Sequence, residues 1–73
     1  MLHYYEFQLA LFNFSIPRNV RIVPVNNEFQ IHFEDGLFAT LTKANGSWLQ
    51  VGGRELSIET VEKIGAKIDV IIF

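Results

Sequence analysis

The chain contains no cysteine, which excludes a disulfide framework, a thiolate metal site and a cysteine nucleophile. That absence is compatible with the reducing cytoplasm, the expected location. Positive charge is also scarce. The six cations, Arg18, Arg21, Lys43, Arg54, Lys63 and Lys67, are scattered and outnumbered by eight acidic residues, for a net charge of −2. Duplex-binding domains draw most of their affinity from clustered Lys and Arg, so no nucleic-acid partner is expected. Long hydrophobic runs are missing as well. No stretch approaches the roughly 18 apolar residues of a membrane span, so no membrane partner is expected. The greasy opening MLHYYEFQLALFNFSIP has no Lys or Arg before Arg18, and Glu6 and Gln8 interrupt it, so it does not read as a signal peptide. Internal repeats and low-complexity segments are absent too.

What the chain does have is apolar bulk. Hydrophobic residues make up 49% of its 73 positions, including seven Phe, two Tyr and one Trp, against 19% charged residues. A disordered chain is far more polar. The length corresponds to one domain, residues 1–73, and at that size folding buries only about 60% of the surface the unfolded chain exposes. Each large apolar side chain therefore matters.

Alternation places the strands. Phe29, Ile31 and Phe33 alternate with Gln30, His32 and Glu34, which predicts a strand over 28–34 with one wet face, and Asp35-Gly36 follows as a hairpin turn. The chain returns over 37–43 with Leu37, Ala39 and Leu41 on one face and Phe38, Thr40 and Thr42 on the other. Asn45-Gly46 then turns it into a short strand over 47–51, with Trp48 and Gln50 on one side and Leu49 and Val51 on the other. Upstream, Val20, Ile22 and Pro24 alternate with Arg21, Val23 and Val25 over 20–25, and Asn26-Asn27 form the next turn. Pro24 lacks a ladder donor, which places it near an edge or at the end of its strand. Residues 4–16 read as a strand whose apolar phase switches near Leu9 to Leu11, implying a bulge or burial on both faces. A short helix through Tyr5, Leu9 and Phe12 competes with that reading.

Ser57 is positioned as an N-cap, and Glu59 and Glu62 sit where the helix dipole favours negative charge. Ile58, Val61, Ile64, Gly65 and Ile68 form an apolar stripe, predicting a helix over 58–69. The tail Val70-Ile71-Ile72-Phe73 is expected to pack, as a last strand or against a partner. Together these elements predict an α+β fold: an antiparallel meander sheet of four to five strands with one C-terminal helix packed on one face.

Chemistry is thinly represented. Gly52, Gly53 and Arg54 lie between a strand and a helix start, the order in which phosphate-binding loops place backbone N–H groups at an anion. Neither the dinucleotide fingerprint nor the P-loop pattern is present, however, and Gly-Gly is also how any chain leaves a strand. The plain turn outweighs the anion site. His32 and Glu34 share a strand face about 7 Å apart, a conceivable weak metal site with Asp35 or His3, but a solvated face explains the same residues. The zinc-deaminase H-x-E pattern needs a downstream Cys pair that does not exist here. Ser15, Ser47 and Ser57 lack the G-x-S-x-G elbow. Asn45-Gly46-Ser47 matches a glycosylation sequon, which without a secretory signal reads as a turn. No cofactor and no catalytic residue is expected, and a non-enzymatic role is favoured.

The aromatic residues suggest surface contacts. One helix covers about 10 Å of a sheet some 20 Å wide, leaving more apolar surface than it can bury. Phe12, Phe14, Phe38, Trp48, Ile72 and Phe73 are the interface candidates, and self-association through a sheet face or edge, most simply as a two-fold dimer, is the expected role. Another protein partner is the alternative.

The run FNFSI, VRIVPV, EFQIHFEDGLFATL and GSWLQV, followed by a helix ending in Ile64-Gly65 and Ile68-Asp69, resembles small uncharacterised bacterial proteins. These carry an Asp-Gly turn and a Gly-Ser-Trp step in a strand meander. The resemblance covers about residues 12–69. It implies an α+β fold and a bacterial origin, and brings no activity, cofactor or site.

Overall fold

A computed structural model of the chain describes residues 4–10 and 17–72. Five strands, β1 (Tyr5–Leu9), β2 (Arg18–Val25), β3 (Glu28–Phe33), β4 (Phe38–Ala44) and β5 (Ser47–Gly53), precede one helix, α1 (Ile58–Ile71). The strands form one antiparallel sheet in the order β1-β2-β3-β4-β5, a simple meander, and α1 packs on one face. This is the α+β architecture expected from the alternation.

Register explains why a single face is apolar. Val20 lies opposite Phe33, Ile22 opposite Ile31, Ile31 opposite Ala39 and Phe29 opposite Leu41, so the apolar phases of three strands coincide. On the helix, Val61, Ile64, Gly65 and Ile68 recur at helical spacing and meet that face. Val20, Ile22, Ile31, Leu41, Ile64 and Ile68 are completely buried. Each such fully buried aliphatic side chain contributes ~1.5–3 kcal/mol to folding.

The turns follow their residues. Asn45 and Gly46 both adopt positive φ, 53° and 80°, the pattern of a two-residue type I′ hairpin, and the flanking Ala44 and Ser47 pair. Pro24 is the second-last residue of β2, beyond Ile22, the last β2 residue with a β1 partner. Its missing donor therefore leaves no gap in the β1–β2 ladder. Ser57 caps α1: its hydroxyl accepts from the Thr60 N–H at 3.1 Å.

Four expectations change. The described part of the first strand spans Tyr5–Leu9, with Tyr4 and Ala10 outside it, and the rest of the reading over 4–16, with its phase switch near Leu9 to Leu11, runs into residues 11–16, outside the described residues. Ile58 is 76% exposed; as the first helical residue it precedes the buried stripe, which begins at Thr60. Leu37 belongs to the hairpin loop and is half exposed, not part of the β4 apolar row. Finally, Val70 and Ile71 extend α1 where a last strand had been one option. Ile72 caps the helix by donating its N–H to the Ile68 carbonyl, and its side chain packs on the core. No helix among the described residues is long and apolar enough to cross a membrane.

Candidate functional site

The joint between β5 and α1 is built around Gln50. Its amide nitrogen donates to the carbonyls of Gly52 and Arg54, and its amide oxygen accepts the Leu56 N–H at 2.9 Å. One half-buried side chain thus replaces the ladder partners that the chain loses as it leaves the sheet. Gly53 sits at φ 81°, and a Cβ there would lie 2.5 Å from the Ala39 Cα, so no larger residue fits. Gly52 has ordinary room beside Thr40. The next residue, Arg54, donates its backbone N–H to the Phe38 carbonyl at 2.8 Å. Its guanidinium donates to Asp35 at 2.8 Å and lies 5.2 Å from the centre of the Phe33 ring. Arg54 therefore ties the β5 exit to the β3–β4 turn. Asp35 also accepts the Leu37 N–H at 3.0 Å, and these contacts, the Leu37 N–H foremost and then Arg54, hold its carboxyl below the usual carboxylate range. The glycines and Arg54 are separated along the chain from the capped helix start at Ser57 by Glu55 and Leu56.

His32 and Glu34 turn to different neighbours. The His32 ring stacks on Phe38 at 5.9 Å and approaches the Gln30 side-chain oxygen at 3.4 Å, whereas Glu34 pairs with Arg18 at 3.5 Å. Arg21, opposite His32, pairs with Glu6 at 2.8 Å. Glu6, Arg21, His32 and Glu34 line a shallow depression of about 290 Å³ in the sheet face opposite α1. Among the described residues no three His, Asp or Glu side chains converge as metal ligands.

The interface candidates are distributed unevenly. Phe12, Phe14 and Phe73 lie outside the described residues. Trp48 packs within the molecule: its ring meets Phe29 edge-on at 5.4 Å and Gly65 of α1 at closest approach, and its indole N–H donates to Asp69 at 3.3 Å. Lys43 also reaches Asp69, at 2.7 Å, holding that carboxyl below its usual range together with the indole. Ile72 packs on the core. Phe38, on the face opposite α1, is 46% exposed.

Three further apolar residues are exposed. Leu49 and Val51 of β5 are each 51% exposed, and Leu37, just before β4, is 49% exposed. Thr40 pairs with Gly52 and Leu41 with Gln50, which leaves Val51 as the extra residue of a β-bulge. One signal for Leu49 was present in SWLQV: both faces of that strand carry apolar side chains, while one helix covers one face. Comparison of the chain with protein-family models, with curated proteins and with solved structures finds no match in any of the three.

Proposed function

We propose that this protein is a small non-enzymatic interaction module that associates with a second copy of itself. One observation carries the reading: the edge strand β5 exposes Leu49 and Val51, and Leu37 and Phe38 are exposed at the start of the adjoining β4. Large apolar side chains exposed on an edge strand suit an interaction surface, and among the described residues no three His, Asp or Glu side chains converge to suggest metal chemistry.

The size of this edge suits a second copy held reversibly. A seven-residue strand is about 23 Å long. Covering such a strip and its half-exposed side chains buries an area at the low end of specific interfaces. The expected complex is therefore a weak, exchanging dimer.

Sedimentation equilibrium over a wide concentration range tests this. The weight-average mass should rise from 8.4 kDa toward twice that value, and Leu49→Lys should hold it at the monomer. A wild-type protein that stays monomeric into the high micromolar range overturns the proposal.

A further inference from the structure

We infer that the second copy adds to the sheet at the outer edge of β5, antiparallel about a two-fold axis at Leu49, so that two five-stranded sheets become one of ten strands. The inference rests on the self-association reading above and names its seam.

β5 ends the sheet, and no strand among the described residues pairs with its outer side. Natural edge strands are usually blunted by charge, proline or a bulge. The other edge, β1, carries Glu6, while β2 has Arg18 and Arg21, β3 has Glu28 and β4 has Lys43; β5 alone, SWLQVGG, has no charged residue. This matters most for a second copy, because at a two-fold axis a residue meets itself and any charge there repels its own image. An edge without charge is self-complementary in that respect.

The backbone selects the register. The two-residue turn closes on the Ala44–Ser47 pair, and hydrogen-bonded pairs then alternate along an antiparallel ladder, so Leu49 directs its peptide groups to Thr42. Gln50 directs its own outward. The bulge at Val51 ends the regular stretch, which runs from Ser47 to Gln50, so Leu49 is the one residue in it that faces away from α1 with regularly paired neighbours on both sides. Pairing centred there sets Leu49 against Leu49 of the second copy at a non-hydrogen-bonded position, where side chains come closest, with Cα atoms about 4.5 Å apart. Leu49 lies on the face opposite α1, since it pairs with Thr42 while its neighbours Trp48 and Gln50 pair with Lys43 and with buried Leu41. The paired leucines thus form a shared strip, with both helices on the other face.

Because the protein has no cysteine, Leu49→Cys introduces its only thiol. Two thiols at the proposed axis fall within the Cα separation of about 4.4–6.8 Å that a disulfide spans. Mild oxidation should give a cross-linked dimer in about tenfold higher yield than Gln8→Cys, an exposed position on the opposite edge strand. In the wild type, exchange of the Gln50 backbone amide should slow by about tenfold from dilute to concentrated solution. A wild-type protein that associates by sedimentation, yet shows neither concentration-dependent protection at Gln50 nor preferential cross-linking at residue 49, overturns the seam and leaves self-association standing. A wild-type monomer at every concentration overturns both.

Discussion

Gly65 of α1 lies directly against the indole of Trp48: a Cβ at Gly65 would sit 2.7 Å from the indole nitrogen and closer still to Cδ1. This contact lets the helix seat on the β5 side of the sheet, with Phe29 against the edge of the same ring. Glycine in a helix ordinarily costs about 1 kcal/mol relative to alanine. Here the missing side chain is the space the indole occupies.

Gly65→Ala should therefore destabilise the protein despite its better helix propensity, by about 1–3 kcal/mol as for other overpacked sites. Urea denaturation followed by tryptophan fluorescence checks this, and the native emission should move to longer wavelength as the indole is displaced. A variant as stable as the wild type would show that α1 shifts without loss.

The two glycines of the joint should separate cleanly. Gly53→Ala must place a side chain at φ 81° against the Ala39 backbone, and a loss of about 2 kcal/mol or more is expected. Gly52→Ala meets only ordinary contacts with Thr40, so its stability should stay within about 1 kcal/mol of wild type, with a gain allowed by the reduced freedom of the unfolded chain. Equal losses at both positions would contradict the geometry.

Acid stability should depend on Asp69. Lys43 first, and then the Trp48 N–H, hold its carboxyl below the ordinary value of 3.8. A depressed folded value means that ionised Asp69 stabilises the fold above pH 3.8, and that this contribution disappears as pH falls from there through the folded value. Asp69→Asn should be less stable than wild type near neutrality and should lose less stability between neutrality and pH 3. Thermal melts across that range provide the measurement.

Arg54→Ala tests the tie between β5 and the β3–β4 turn. An ion pair this exposed is screened by solvent, so the loss of stability should be small. Because the Leu37 N–H is the larger influence on Asp35, its carboxyl should move upward in the variant yet remain below its ordinary value of 3.8. An NMR titration of the Asp35 side chain reads this directly.

Ser57→Ala should cost about 1 kcal/mol, because it removes the acceptor that caps the Thr60 N–H. Ser57→Asp should retain most of that stability, since its carboxylate can accept the same bond and suits the helix dipole.

Much of the fold was legible because it is local. Period-two alternation at Phe29, Ile31 and Phe33, the Asn45-Gly46 turn and the Ser57 cap depend on neighbours a few residues away. The positions that periodicity misassigned lie where elements end: Ile58, placed by helical spacing, and Leu37, placed by alternation, have the right chemistry for the core but stand one step beyond the surface that could bury them. The candidate site was less legible. Arg54 could not be matched with Asp35, nor Trp48 with Gly65 and Asp69, because those partners are 17 to 21 residues away and meet only through the register of the sheet and the placement of α1.

By itself, the sequence determined the α+β class, the meander, the turns and the helix start, since each follows from backbone preferences and side-chain periodicity within a short window. Only the tertiary structure decided that Gln50 organises the β5–α1 joint, that Trp48 is turned inward against a glycine, and that Leu37, Phe38, Leu49 and Val51 remain at the surface. Those outcomes depend on which strand ends the sheet and how far one helix reaches across it, and no local preference encodes either distance.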